Sequence, residues 1–174
     1  MKLDLGCGPR VEDGWTGIDL NHGQRRLNFE TEPLPYSDNS IEAVRCHSAL
    51  EHISHLRTPA FLKECHRVLV PGGELEVSVP DARELMLEWL DLDPGRVYPG
   101  SQYQNPAQAR REYLTWCLWG NQRLNEISGQ THKNGFTEND LRAALLDAGF
   151  ASVRIELVVN SLHACQMIHG QAVK

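Results

Sequence analysis

The chain has 174 residues, of which 41% are hydrophobic and 23% are charged, a composition typical of one soluble globular domain with a buried core. Its 17 basic and 23 acidic residues leave a net charge of −6, which argues against a broad nucleic-acid-binding surface. No apolar run approaches the roughly 18 residues of a membrane span, and the polar N-terminus does not match a signal peptide.

The cysteine spacing bears on redox compartment and on metal binding. Five cysteines are scattered along the chain, with no C-x-x-C pair, at Cys7, Cys46, Cys65, Cys117 and Cys165. This spacing predicts neither a disulfide framework nor a thiolate zinc site. We therefore expect a cytoplasmic protein, and no sequence constellation indicates a metal.

The stretch from Lys2 to Leu20, KLDLGCGPRVEDGWTGIDL, predicts a strand, a glycine turn and a second strand that ends at Asp19. Glycines at positions 6 and 8 allow backbone angles that other residues avoid, and let a ligand lie against the main chain. Dinucleotide-binding folds place an acidic residue at the end of the second strand, where it accepts hydrogen bonds from ribose hydroxyls. The alternative role for Asp19 is that of a turn residue before Asn21.

The crossover between these two strands is unusually short. Residues 9–15 are the only seven between Gly8 and Thr16, whereas a parallel crossover with a helix needs about 10–12. Either the strands are not parallel neighbours, or the first helix has shrunk to about one turn. Seven extended residues span roughly 23 Å at 3.3 Å each, enough to return along a short strand. We favour the second interpretation.

Residues 21–47 predict two further strands, a short one at 27–29 and another at 41–46. Ser48 and Glu51 have the spacing of a capping box, which predicts a helix start and makes Glu51 a cap more readily than a catalytic base. His47 follows the second of these strands, at the edge where open α/β sheets bind ligands.

A helix and a strand come next. Thr58 and Pro59 fit the N-cap and first residue of a helix that residues 71–73, Pro-Gly-Gly, should end. A strand at 74–79 follows. The alternation of strands and helices to this point predicts a mostly parallel α/β sheet.

Residues 82–129 break this alternation and form a predicted helical insert. One helix is expected at 82–90 and another from Asn105-Pro106. Three of the four tryptophans, Trp89, Trp116 and Trp119, fall in this insert. They indicate either a small subsidiary core or a lid over the ligand-binding edge of the sheet.

The C-terminal part predicts a helix and two strands. Thr137 and Asp140 form a second capping box, and Gly149-Phe150 gives a glycine C-cap. Strands are expected at 153–157 and 162–168. Their connection at 159–161 is as short as a hairpin, which predicts an antiparallel pair.

Five segments in this order resemble the class I S-adenosylmethionine-dependent methyltransferases, in particular the small type 11 branch. The segments are LDLGCGP, GIDL, LPYSDNSIEAVRCHSALEHI, FLKECHRVLVPGGELEVSVPD and HKNGFTENDLRAALLDAGF. The resemblance covers about residues 2–80 and 130–157. It implies a Rossmann-like, mostly parallel seven-stranded sheet with an antiparallel closing strand, and this sequence departs from the pattern by a shortened first helix and a helical insert after the fifth strand. It also implies a single methyltransferase domain over 1–174, with 82–129 as insert or lid, and S-adenosylmethionine as cofactor.

The resemblance assigns cofactor-binding positions residue by residue. They are Asp4, Leu5, Gly6, Cys7 and Gly8 beneath the methionine and ribose, Asp19 and Leu20 at the ribose hydroxyls, Asn28 and Phe29 at the adenine, and His47 beside the sulfonium. His47 and His132 are the candidate catalytic bases, each with a purely structural role as the alternative. Arg10 replaces a third glycine and the first helix is nearly missing, which leaves open how enclosed the cofactor is and whether the chain forms a homodimer.

The functional expectation is methyl transfer to a small molecule or to a carrier- or sugar-linked acceptor. The alternatives are a non-catalytic S-adenosylmethionine-binding protein and an RNA or protein methyltransferase, which the net charge disfavours. A nicotinamide dinucleotide would need a helix N-terminus for its pyrophosphate and an acidic partner about 20 residues on. Asp19 follows Gly8 by only eleven residues, which favours a cofactor without phosphates.

Overall fold

The computed structural model describes residues 1–90, 106–120, 129–159 and 166–174. The strands are β1 (Lys2–Leu5), β2 (Trp15–Asp19), β3 (Arg25–Arg26), β4 (Ile41–His47), β5 (Leu69–Pro80), β6 (Ser152–Val159) and β7 (Gln166–Val173). The helices are α1 (Thr58–Val68), α2 (Ala82–Trp89), α3 (Pro106–Trp119) and α4 (Glu138–Asp147), with a single 3₁₀ turn at Leu50–His52. No described helix combines the length and the apolar character that crossing a membrane would take.

The seven strands form one sheet in the order β3-β2-β1-β4-β5-β7-β6. Strands β1 to β5 pair in parallel, whereas β7 is antiparallel to both β5 and β6. The sheet confirms the expected Rossmann-like architecture with its antiparallel closing strand, and α2 and α3 follow the fifth strand as expected. Because β1, β2 and β4 are parallel, their carboxyl ends meet at one edge, where ligands bind in open α/β sheets.

One face of the sheet carries the hydrophobic core. Alternate strand residues on this face are at most 1% exposed: Leu3, Leu5, Ile18, Val44, Cys46, Leu75, Val77, Val79, Ile168 and Ala172. Helices α1 and α4 contribute the same kind of side chain to this core, among them Phe61, Leu62, Leu141 and Leu145. Because strand side chains alternate, the other face receives the polar positions Asp4, Arg45, His47, Glu76 and His169.

The structure confirms the favoured interpretation of the short crossover, and the crossover contains even less helix than expected. β1 and β2 are parallel neighbours, with Leu3 opposite Thr16, and residues 6–14 form turns without any helix. The crossover lies directly on β2, since a Cβ at Gly17 would be 2.4 Å from Val11 Cγ2 and 2.7 Å from Cys7 Sγ. Only a glycine at position 17 lets the crossover approach this closely.

Two local predictions in the first half are wrong. The third strand is Arg25–Arg26, not 27–29, because the Leu27 side chain turns into the core after its amide donates to the carbonyl of Asp19. Ser48 does not cap a helix. Its φ is +49° and its amide donates to the carbonyl of Ser78, so the chain is held against the end of β5 and forms only the 3₁₀ turn.

Other boundaries shift by smaller amounts. Thr58 lies inside α1, whose N-cap is Arg57. Residues 71–73 do not separate helix from strand, because β5 already starts at Leu69. These residues lie within β5, where its pairing with β4 is irregular. The second capping box, Thr137 with Asp140, is confirmed, as is the antiparallel β6–β7 pair. The predicted connection at 159–161 and the first part of the strand at 162–168 lie largely outside the described residues.

Candidate cofactor and active site

The two glycines of the turn after β1 differ in how closely other atoms surround them. Gly6 has φ +74°, and a Cβ there would lie 2.3 Å from the Cβ of Ala49, so the turn packs tightly against the chain after β4. Gly8 has φ +59°, and, its chain neighbours aside, no atom of the described residues lies within 4 Å of a Cβ built at this position. Gly8 therefore presents open backbone at the carboxyl edge of the sheet, where a ligand can approach closely.

Asp19 joins this turn to the end of β2. Its Oδ2 accepts a hydrogen bond from the Gly8 amide at 3.0 Å, and its Oδ1 accepts from the amides of Asn21 at 2.7 Å and His22 at 3.0 Å. A carboxylate offers about four acceptor positions, so these three bonds leave room for about one more. Asp19 thus has the turn role and retains capacity for one ribose hydroxyl.

Asp4 and Cys7 support the turn from below. The Asp4 side chain is 8% exposed and its carboxylate lies 2.8 Å from the guanidinium of Arg45, which also contacts Glu12 at 2.7 Å and lies 4.3 Å from the Trp15 ring centroid. Burial, the largest cause, and the nearby carboxylates raise the pKa of the Cys7 thiol to about 11. Both side chains are therefore structural, and a ligand would meet the backbone of this turn.

Leu5 and Leu20, the two leucines among the predicted cofactor-binding positions, lie in different surroundings. Leu5 is fully buried in the core, so only its backbone can face the cofactor edge. Leu20 reaches a later part of the chain, since a Cβ at Gly129 would lie 3.1 Å from Leu20 Cδ2. Segment 129–134 therefore begins beside the end of β2.

The predicted adenine positions follow β3. The Asn28 side chain accepts a hydrogen bond from the Glu30 amide at 3.0 Å, while the Asn28 amide donates to Glu32 Oε1 at 3.0 Å. The Phe29 ring lies 5.2 Å from that of Phe61 in α1 and lines a groove of about 380 Å³. Asn28 thus stabilises a turn and Phe29 packs toward α1, so their adenine contact stays a prediction.

His47 lies on the polar face of the sheet. Its Nε2 is 2.9 Å from Glu76 Oε1, and the same oxygen is 3.4 Å from His169 Nε2. The imidazole is thus engaged with β5 and β7. A role for His47 beside the sulfonium, or as a base, stays a prediction and would require it to leave Glu76.

His132 forms a pair with His52 that the sequence does not indicate. Their rings lie 4.7 Å apart, with His132 Nδ1 3.0 Å from the carbonyl of Cys117 and His52 Nδ1 3.2 Å from that of Thr131. A carbonyl oxygen only accepts, so both Nδ1 atoms carry the proton and each Nε2 keeps a lone pair. Burial is the largest cause that lowers the pKa of His132 to about 4, and burial also lowers that of His52. Both imidazoles are therefore neutral at physiological pH.

His132 lines a cavity of about 310 Å³ beyond the carboxyl end of β5. Its walls come from the 3₁₀ region, α2, α3 and the segment before α4: Glu51, His55, Pro80, Ala82, Leu85, Met86, Cys117, Leu118, Trp119, His132, Lys133, Asn134, Gly135 and Phe136. The expected roles of the insert, a subsidiary core or a lid, stay predictions. Leu85 and Leu114 are each 2% exposed, and Trp119 packs against Trp89 with ring centroids 5.1 Å apart and borders the cavity.

Several polar contacts hold the segment at 132–136 over this edge of the sheet. The amides of Lys133 and Asn134 donate to the carbonyl of Glu51 at 2.8 and 3.1 Å. The Lys133 ammonium lies 2.7 Å from Glu30, whose other carboxylate oxygen accepts from the Ser54 amide at 2.8 Å. No sequence spacing could have indicated these contacts, because Glu30 and Lys133 are 103 residues apart.

Comparisons with known proteins agree with this architecture. A family model described as "Methyltransferase domain" matches residues 15–77. The chain is 26% identical over 142 residues to a probable S-adenosylmethionine-dependent methyltransferase of Mycolicibacterium smegmatis, covering 82% of this chain and 49% of that protein. It is 29% identical over 175 residues to an uncharacterized 37.1 kDa protein of transposon TN4556 from Streptomyces fradiae, covering 86% and 43%. The chain therefore spans about half the length of these curated relatives.

A solved structure shows the same fold. The 1,6-didemethyltoxoflavin-N1-methyltransferase of Burkholderia thailandensis, with bound 1,6-didemethyltoxoflavin and S-adenosylhomocysteine, superposes with a TM-score of 0.62. The two are 17% identical, and the match covers 99% of this chain and 70% of that one. The five ordered segments, the family model matched at residues 15–77 and this sheet topology support a class I S-adenosylmethionine-dependent methyltransferase of the type 11 branch.

Proposed function

We propose that the chain transfers the methyl group of S-adenosylmethionine to a small-molecule acceptor, with the cavity beside His132 as the acceptor site. One observation carries the proposal: the open backbone of Gly8 is hydrogen-bonded to the Asp19 carboxylate at the same sheet edge as this cavity. The cofactor would lie along that edge, and the acceptor would lie beyond β5.

The residues at the edge fit this cofactor better than a dinucleotide. The crossover contains no helix, so it offers no helix N-terminus to a pyrophosphate. S-adenosylmethionine has no phosphate and therefore does not need a helix N-terminus. The backbone of residues 6–8 would hold the methionine part, Asp19 would accept one hydrogen bond from a ribose hydroxyl, and Leu20, Asn28 and Phe29 would border the adenosine.

The chain's own chemistry would be orientation, exclusion of water and acceptance of a proton. When bound, the cofactor supplies a methyl group already activated by its sulfonium, so positioning of the acceptor contributes most of the rate. His132 is the candidate base, because its low pKa keeps Nε2 unprotonated at neutral pH. The acceptor's own proton becomes strongly acidic as the methyl group bonds, which lets such a weak base accept it.

The size of the cavity supports a small acceptor. Its volume of about 310 Å³ lies at the lower end of the roughly 300–1,000 Å³ typical of small-ligand sites. The net charge of −6 does not suit a polyanionic acceptor such as RNA. Within this proposal the chain acts as one methyltransferase domain, with residues 82–129 as the lid of the acceptor site. The four free cysteines among the described residues suit a cytoplasmic location.

Calorimetric titration with S-adenosylmethionine and, separately, with NAD tests the cofactor. We expect binding of the first only, and binding of NAD alone would overturn the assignment. Transfer of a labelled methyl group to metabolite pools, total RNA and protein lysate then tests the acceptor class. Label in the RNA or protein fraction would contradict a small acceptor, and tight cofactor binding without transfer to any pool would favour a non-catalytic binder.

His132→Gln separates catalysis from cofactor binding. We expect kcat to fall at least tenfold, since removing a general base typically costs about 10²–10⁴ in rate. The affinity for S-adenosylhomocysteine should stay within twofold of the unmodified protein. His22→Gln, at an exposed position, is the matched control and should leave kcat unchanged. An unchanged kcat in His132→Gln would assign His132 a structural role.

A further inference from the structure

Three side chains converge on the polar face of the sheet, and none of them lines the cavity beside His132. They are His47 on β4, Glu76 on β5 and His169 on β7, three adjacent strands. Ser78 pairs with His47 on one side and with His169 on the other, and Glu76 lies two residues before Ser78. Because strand side chains alternate with a period of two, all three project from the same face.

The distances between their polar atoms match those between ligands of one metal ion. Glu76 Oε1 lies 2.9 Å from His47 Nε2 and 3.4 Å from His169 Nε2, and the ligating atoms of all three lie within 4.8 Å of one another. Zinc bonds to nitrogen and oxygen are about 2.0–2.1 Å long, so ligand atoms around a tetrahedral zinc lie roughly 3.3 Å apart. Small side-chain rotations would therefore bring the three atoms around one ion.

The setting of the cluster suits an ion with one open position. The side chains are 42% exposed for His47, 38% for Glu76 and 20% for His169, so the outer side of the cluster faces solvent. Two imidazoles and one carboxylate form a ligand set used by zinc sites that keep a water as the fourth ligand. The hydrogen-bonded ladders of β4, β5 and β7 hold the three backbones in place, which lowers the ordering cost of binding.

We propose that His47, Glu76 and His169 form a Zn²⁺ site, with water as the fourth ligand. The ion would link the parallel strand pair β4–β5 to the antiparallel strand β7. It would also hold the His47 imidazole on the polar face of the sheet. The proposal does not depend on the proposed function, because its test measures metal binding alone.

Calorimetric titration of the metal-free chain with zinc chloride tests the site. We expect one Zn²⁺ per chain with micromolar or tighter affinity. Glu76→Gln and His169→Gln, which preserve size and should not disturb folding at exposed or half-exposed positions, should each weaken binding at least tenfold. His22→Gln is the matched control, and its affinity should stay within twofold of the unmodified chain.

Cobalt gives an independent readout of the same site. The Co²⁺-loaded chain should show the visible absorption of a four-coordinate ion, and His169→Gln should lose it. A second group of potential ligands, Glu51, His52 and His132, lies in the described part of the chain. The proposal is overturned if zinc binding disappears in His132→Gln while it persists in Glu76→Gln and His169→Gln. Binding only at millimolar zinc would overturn it as well.

Discussion

The Asp19 carboxylate accepts a hydrogen bond of 3.0 Å from the amide of Gly8, eleven residues earlier in the chain. This bond joins the turn after β1 to the end of β2 without an intervening helix. The side chains of β1 and β2 that face the core are buried, and this packing keeps the ends of the two strands in register. The glycine turn and the proposed ribose position thus lie within residues 6–22, and their geometry depends on Asp19.

Asp19→Asn should weaken both the turn and the cofactor site. An asparagine has one acceptor oxygen, so its NH₂ group would face at least one of the amides of Gly8, Asn21 and His22. We expect a loss of about 1–3 kcal/mol in unfolding free energy, the range for a donor that is left without its acceptor. The affinity for S-adenosylhomocysteine, measured by calorimetry, should fall at least tenfold. Asp13→Asn changes an exposed carboxylate in the same crossover and should alter neither quantity.

Gly8→Ala should affect ligand binding more than folding. Gly8 has φ +59° and free space around a Cβ, so alanine adds backbone strain of about 1 kcal/mol without a clash. Gly72 has φ +78° and equally free space, but lies at the start of β5, remote from the turn. Urea unfolding should show similar losses for Gly8→Ala and Gly72→Ala. Only Gly8→Ala should lose affinity for S-adenosylhomocysteine, and equal affinities would place the ligand elsewhere.

Arg45→Met should destabilise the chain strongly. The Arg45 side chain is 12% exposed, and its loss leaves the nearly buried Asp4 carboxylate without its cation. Breaking such a pair costs about 3–5 kcal/mol. Glu12→Gln removes the outer partner, which is 75% exposed, and should cost less than about 1 kcal/mol. Urea unfolding measures both, and the double variant Asp4→Asn/Arg45→Met should recover part of the loss. Equal effects of Arg45→Met and Glu12→Gln would contradict a structural role for the buried pair.

His132 should make the chain less stable in mild acid. Its pKa is about 4 in the folded chain and 6.5 in the unfolded chain, so the unfolded chain binds more protons between these pH values. The contribution of neutral His132 to the unfolding free energy is therefore fully present above pH 6.5 and is lost as the pH falls from 6.5 toward 4. Between near pH 7.5 and near pH 5 this loss should be about 1–2 kcal/mol, allowing for partial exposure.

His132→Gln tests this pH dependence. The difference in unfolding free energy between the two pH values should shrink by the same amount. His22→Gln, at an exposed position, should leave the difference as it is in the unmodified chain. An equal acid sensitivity in His132→Gln and the unmodified chain would show that another group is responsible.

The local features of the fold followed from the sequence because they depend on near neighbours. The glycine turn at 6–8, the capping box of Thr137 and Asp140, and the periodicity of α1 and β5 all rest on residues a few positions apart. The length of the first crossover left two arrangements open, and the favoured one, with β1 and β2 as parallel neighbours, is confirmed. The Ser48 capping box was wrong because a hydrogen bond to Ser78, thirty residues away, competes with local propensity.

The sequence by itself predicted the mostly parallel sheet with its antiparallel closing strand and the resemblance to S-adenosylmethionine-dependent methyltransferases, since these rest on ordered motifs and short spacings. Only the tertiary structure decided which distant side chains meet. His52 joins His132 because segment 129–134 returns to the 3₁₀ turn, and His47, Glu76 and His169 meet because β7 inserts beside β5. Such contacts depend on sheet order and register, so no spacing along the chain encodes them.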